Sequence, residues 1–228
     1  MDWKAHWDHA AQARDPYQQV ARIGGQGPLD QEVLVQTAAR IAEVLQLRKE
    51  HHLLDVCCGN GLLTQQLLPY CEQITGVDLS EGQIAIAQKA QNEKLKFLVA
   101  DATQLDAQLN ESFDHIVLYF SFQYLETASQ AKAALSQMLK QLKPNGRILL
   151  GDVPEREKLA VFYPKRLDRW KYALKLATGK SLMGRFWSLA EMEAMAKPLG
   201  LQVQRLEQPV DFPYAHYRAD FLLQRVES

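Results

Sequence analysis

The chain has 228 residues, 47% of them hydrophobic and 23% charged, which suits one soluble α/β domain with an added cap. Twelve glycines and nine prolines exclude collagen-like and Pro/Gly-rich disordered classes. Twenty-six Lys and Arg against 27 Asp and Glu leave a net charge of −1, which argues against a nucleic-acid partner held by bulk positive charge.

Three cysteines cannot form a fully paired disulfide framework and point to a reducing compartment. The first residues, Met1 to His9, show no apolar run behind a basic start, and no stretch approaches the ~18–20 apolar residues that span a bilayer. The expectation is a cytoplasmic protein with no transmembrane segment.

Residues 1–28 read as an N-terminal cap segment ending in the loop Gly24-Gly25-Gln26-Gly27-Pro28, and residues 29–228 as the main domain. Asp30 can cap a helix whose Leu34, Ala38, Ile41 and Leu45 share one face. Short apolar strands then alternate with helices. Strands are predicted at Leu53–Val56, Ile74–Asp78, Lys96–Ala100, Phe113–Tyr119 and Arg147–Leu150. Helices are predicted from Leu62 to Leu68, from Ser80, where Gln83 completes a capping-box pattern, and from about Thr127 to Leu142. Ser188 and Glu191 repeat that pattern before a helix stopped at Gly200. Leu201–Leu206 and Asp220–Val226 are joined too closely for a helical crossover, so they pair antiparallel. The fold expected is a doubly wound, mostly parallel, seven-stranded α/β sheet with an antiparallel pair at its end and a helical cap inserted at 154–187.

Ligands of such sheets sit beyond the carboxyl ends of the strands. The first strand ends in Asp55 and runs into Cys57-Cys58-Gly59-Asn60-Gly61, where glycines admit close approach to the backbone. The second ends in Asp78, whose carboxylate can accept both hydroxyls of a ribose. The third ends in Asp101-Ala102, an acid beside a backbone N–H that together can read an adenine edge.

These residues, in this order, resemble the motifs of class I S-adenosylmethionine-dependent methyltransferases. Leu53 to Gly61 is similar to their glycine-rich motif, Val77-Asp78-Leu79-Ser80 to their ribose motif and Ala100-Asp101-Ala102 to their adenine motif. Phe113–Tyr119 followed by Gln123-Tyr124-Leu125 resembles the fourth-strand motif beside the methyl group, and Leu142–Ile148 the turn before the fifth strand. Cys57 departs from the pattern, standing where the family usually has its first glycine. The resemblance implies a Rossmann-like enzyme that takes S-adenosyl-L-methionine, releases S-adenosyl-L-homocysteine and requires no metal. Its cofactor contacts would be Asp55, Cys57, Cys58, Gly59, Asn60, Gly61, Asp78, Leu79, Asp101, Ala102, Leu118 and Tyr119, with Tyr17 or Arg22 at the methionine end. The acceptor implied is a small molecule, in one reading anionic, methylated at oxygen, because no Asn/Asp-Pro-Pro-Tyr motif follows the fourth strand. A non-catalytic cofactor-binding scaffold is the rival. An NAD(P)-dependent oxidoreductase is a further one, since Gly59-Asn60-Gly61 nearly reads as a dinucleotide fingerprint. Asp55 discriminates, because a carboxylate in that turn repels a pyrophosphate and suits an ammonium.

Gln123, Tyr124 and Tyr163 are candidate substrate contacts, and Asp152, His216 and Tyr214 candidate bases. Each has a bland reading: Tyr124 packing under the next helix, Asp152 capping a turn. His6 and His9, with Trp3 and Trp7, give the first segment either a histidine poised over the cofactor or a surface helix with two packed tryptophans. Segment 154–187 holds nine basic and three acidic residues interleaved with aromatics. It reads as a lid attracting an anionic substrate, as a membrane-surface helix, or as a solvated cap.

Overall fold

Most of the strands are short apolar runs rich in Leu, Ile and Val and bounded by turn residues, which suits a buried sheet. The computed structural model describes residues 1–20 and 30–226. β1 (His52–Val56), β2 (Gln73–Asp78), β3 (Leu95–Val99), β4 (Phe113–Tyr119), β5 (Leu142–Pro154), β6 (Leu201–Glu207) and β7 (Arg218–Arg225) form one sheet in the order β3-β2-β1-β4-β5-β7-β6. β1 to β5 are mutually parallel, and β7 runs antiparallel to both β5 and β6. The register pairs Asp55 with Gly76 and Val117, and Asp78 with Val99, so the ends of β1 to β4 share one edge.

The helices are α1 (Trp3–Ala10), α2 (Pro16–Gln19), α3 (Gln31–Leu45), α4 (Leu62–Leu67), α5 (Glu81–Ala87), α6 (Ala128–Gln141), α7 (Leu159–Phe162), α8 (Arg166–Ala177) and α9 (Leu189–Ala196). Successive strand residues face opposite sides, and each side buries its own core. Leu53, Ile74, Val117 and Leu149 pack with Leu34 and Ile41 of α3 and Leu67 of α4. Leu54, Ile116, Leu118 and Leu150 pack with Leu135 of α6 and Met192 of α9. A separate aromatic cluster of Tyr172, Phe186, Tyr214 and Tyr217 ties the inserted segment to the loop before β7.

Capping chemistry sets several boundaries as expected. The Asp30 carboxylate accepts from Val33 N at 2.9 Å, Ser188 and Glu191 close a reciprocal capping box, and Gly200 ends the helical run at φ +71°. Two details differ. Ser80 accepts from Gln83 N, but the Gln83 amide donates to Gln19 O at 2.8 Å and Trp7 O at 3.3 Å instead of closing the box. β5 extends beyond Leu150 because β7 goes on pairing with it at Val153 and Pro154, across an irregularity in which Asp152 adopts φ +56°.

Candidate functional site

The turn after β1 is built on left-handed backbone. Cys57 has φ +62°, Gly59 +55° and Gly61 +78°. A residue with a Cβ is strained there, so Cys57 occupies a conformation that glycine takes without cost. At Gly61 a Cβ would lie 2.9 Å from the Phe97 ring, so the small residue there permits close helix–sheet packing.

The carboxylate of Asp78 clamps this turn, with Oδ2 accepting from Gly59 N and Oδ1 from Ser80 N, both at 2.9 Å. Asp101 Oδ1 accepts from Thr103 N at 2.8 Å and from Thr103 Oγ1 at 2.7 Å. Asp55 is buried and accepts only from Thr64 Oγ1, at 2.6 Å, among the described residues. Burial raises the Asp55 carboxyl to about 7, the Thr64 hydrogen bond opposing this and nearby Asp78 adding to it. Burial also raises Asp78, against the pull of its two N–H donors. The thiols of Cys57 and Cys58 are pushed well up by burial and by the neighbouring carboxylates, which keeps them neutral.

Asp55, Asp78 and Asp101 line one cavity of about 250 Å³ together with Cys57, Cys58, Gly59 and Asn60. Leu79 and Ala102, beside Asp78 and Asp101 in the chain, add apolar surface, and Tyr119, Phe120 and Tyr124 close the wall beyond β4. Phe120 has φ +69°, which bends the chain sharply at that strand end. No Lys, Arg or His is among the described lining residues.

The N-terminal segment forms the roof. Trp3 and Trp7 line the cavity and pack on Tyr124 with ring centroids 4.4 and 5.5 Å away. Asp8 Oδ1 accepts from Ser80 Oγ at 2.6 Å and Gly82 N at 3.0 Å, and Oδ2 accepts from Lys4 at 3.0 Å; these bonds hold Asp8 down at about 2. The Asn60 amide donates to Pro16 O and Gln19 Oε1. Of the N-terminal residues in these contacts, the sequence singles out Trp3 and Trp7, as an i,i+4 pair. The contacts of Asp8 with Ser80 and Gly82, of Gln19 with Asn60 and of Gln83 with Trp7 and Gln19 join residues 41 to 76 apart and leave no local pattern.

Other candidates lie elsewhere. Gly61 and Leu118 stand behind the cavity, Leu118 fully buried in the core. Tyr17 packs on the α3 side of the core, and Arg22 lies outside the described residues. Gln123 is buried beside the cavity, its amide donating to Phe120 O. His6 sits edge-on between Trp3 and Trp7 and does not line the cavity, and His9 is exposed.

Asp152, Tyr214, His216 and Tyr163 are also outside the cavity lining. Asp152 is buried in a 2.7 Å ion pair with buried Arg218, and its N–H donates to Asp220. A buried charge needs such a partner, and β7 supplies it; the Gln208 amide also donates to Asp152 Oδ1 at 3.3 Å and lies 3.4 Å from the hydroxyl of Tyr119, which lines the cavity. Tyr214 is buried in the aromatic cluster and His216 is exposed. Tyr163 packs on Tyr172 at 5.4 Å, and burial pushes its hydroxyl up to about 12.

The sequence profile of the methyltransferase domain family matches residues 53–146. An uncharacterized methyltransferase of Schizosaccharomyces pombe is 30% identical over 115 residues, covering 44% of this chain and 38% of that protein. A ubiquinone biosynthesis O-methyltransferase of Pseudomonas putida is 26% identical over 156 residues, covering 67% and 65%. The structure of the magnesium protoporphyrin IX methyltransferase of Synechocystis with bound S-adenosylmethionine aligns with a TM-score of 0.62 at 16% identity, over 99% of this chain and 98% of that one. The chain spans less than half the length of several curated relatives that it matches.

Proposed function

We propose that this chain, whose residues 53–146 match the methyltransferase domain profile and whose fold is shared with an S-adenosylmethionine-dependent methyltransferase, transfers a methyl group from S-adenosylmethionine to a small molecule, at oxygen. The observation that carries the reading is the charge of the cavity: three carboxylates line it and no described basic side chain does. Such a site repels a pyrophosphate and favours a ligand bearing sulfonium and ammonium charges. Burial raises the Asp55 carboxyl, and a cation placed beside it would favour its ionised form.

The residues present fit that cofactor. Asp78, with each oxygen taken by one N–H, retains lone pairs for a ribose. Asp101, Ala102 and Leu79 would hold the base, and Asp55 with the Cys57–Gly59 backbone the methionine end. When bound, the cofactor supplies an already electrophilic methyl carbon. The protein's task is then to align an acceptor behind that carbon and to exclude water. Trp3, Trp7 and Tyr124 provide an apolar wall for this, and the bonds of Asp8 and Asn60 hold the roof shut. In this reading residues 1–20 and 154–187 serve as the cap around the domain.

The described lining offers no histidine or lysine as base. An acceptor oxygen that ionises readily by itself, as a phenol does, meets that limit, and the aromatic wall suits a flat ring. The O-methyltransferase named among the relatives supports oxygen as the acceptor atom. The test is calorimetric titration with S-adenosylmethionine, followed by transfer of labelled methyl to a panel of phenols, alcohols and amines. Binding with turnover on phenols is expected. Binding without transfer to any acceptor makes the protein a scaffold, and failure to bind refutes the reading.

A further inference from the structure

We propose that α8 docks the protein onto anionic membrane surfaces. Its residues Leu167, Trp170 and Leu174 are 64%, 74% and 66% exposed, the largest exposures of bulky apolar side chains in any described helix of eight residues or more. At about 100° per residue the three fall within an arc of about 60°, on one stripe. The opposite side of the helix carries Tyr172, buried in the aromatic cluster, and half-buried Leu176. The helix is therefore anchored on one face and leaves an apolar stripe in water on the other. Arg166 lies on one flank of the stripe and Lys171 and Lys175 on the other, all exposed and none in an ion pair with a described residue. Val161 in α7, 56% exposed, adds to the apolar surface of this segment.

Charge selects the occupant. The 154–187 segment holds nine bases and three acids in a chain of net charge −1; Arg156, Lys158 and Arg185 of these are in ion pairs, while Arg166, Lys171 and Lys175 flank the stripe. Bulky apolar groups including Trp, rimmed by Lys and Arg, match the boundary between lipid headgroups and acyl chains, where such a face sinks about 5–10 Å. No helix among the described residues is long and apolar enough to cross a membrane, so the contact is peripheral. It also reaches the cavity wall. Arg185 N, beyond α8, donates to Gln123 O at 2.8 Å, and Gly184 sits so close that a Cβ there would lie 2.3 Å from that oxygen. Tyr124, the next residue, lines the cavity.

The full chain is to be centrifuged with vesicles of phosphatidylcholine alone or with 30% phosphatidylglycerol, in low and high salt. Binding to the anionic vesicles, weakened by salt and reduced at least tenfold in Leu167→Ser/Trp170→Ser/Leu174→Ser and in Lys171→Glu/Lys175→Glu, is expected. All five positions are exposed, so an unchanged circular dichroism spectrum and melting temperature serve as the folding control. Absence of binding, equal binding to both vesicle types, or a dimer of the wild type that the triple substitution dissolves would each overturn the proposal, the last by assigning the stripe to a second copy of the chain.

Discussion

Removing the hydroxyl of Thr64 tests how the buried carboxylate of Asp55 is used. Thr64→Val keeps shape and volume but deletes the 2.6 Å bond to Asp55 Oδ2. A hydrogen bond to a charged group contributes about 1.5–3 kcal/mol, or roughly 1–2 pH units at 1.36 kcal/mol per unit. The Asp55 carboxyl, already raised to about 7 by burial, should then rise to roughly 8–9. If a cationic methionine end requires ionised Asp55, the affinity ratio of wild type to variant is the ratio of ionised fractions. At pH 7.5 that ratio is roughly 3- to 25-fold; it should grow to about 10–100-fold below pH 6 and close toward unity above pH 10. The cofactor's own amino group titrates near pH ~8, but it affects both proteins equally and cancels in the ratio. Calorimetric titration with S-adenosylmethionine at five pH values measures it. A ratio that stays flat with pH refutes the coupling, and one that rises toward pH 10 reverses its sign.

The stability of the ligand-free protein should respond to the same group. Its folded carboxyl lies above the unfolded value, so its contribution is complete below pH ~4 and is lost as pH rises through about 7; Asp55→Asn should flatten the melting temperature over this window. Asp78→Ala should leave the protein folded yet weaken cofactor binding by roughly 10–100-fold, for loss of charge-assisted hydrogen bonds; unchanged affinity by calorimetry contradicts the ribose role. Arg218→Met removes the cation paired with buried Asp152 and should cost about 3–5 kcal/mol in urea unfolding, most of it recovered by adding Asp152→Asn. Asp8→Ala cuts the bonds that hold α1 to Ser80 and Gly82 and should raise the cofactor dissociation constant roughly three- to tenfold through a faster off-rate, seen in stopped-flow tryptophan fluorescence.

Where the sequence anticipated the structure, the signal was local. The chain Leu53-Leu54-Asp55-Val56 is long enough only for one strand, and the residue that follows it must turn. The same holds for Asp78 and Asp101, so the right-handed parallel topology sets all three on one edge. The aromatic run of 154–187 was recognisable as an insertion, but its pattern could not say which rings form the cluster with Tyr214 and Tyr217 and which, like Trp170, remain in water.

What the amino-acid order alone determined, then, is the frame and its acidic edge, because strand period, turn glycines and capping residues act within a few positions of themselves. The tertiary structure decided which groups face the cavity. Asp152 also follows a parallel-strand run, yet an antiparallel neighbour supplies Arg218 and takes its carboxylate into an ion pair outside the cavity lining. Trp3 and Trp7 stand more than fifty residues before Gly59, yet Asp8 carries them to the cavity through Ser80 and Gly82. Both outcomes depend on finding partners for buried or half-buried charges across the fold, and a partner distant along the chain is chosen only when the chain has folded.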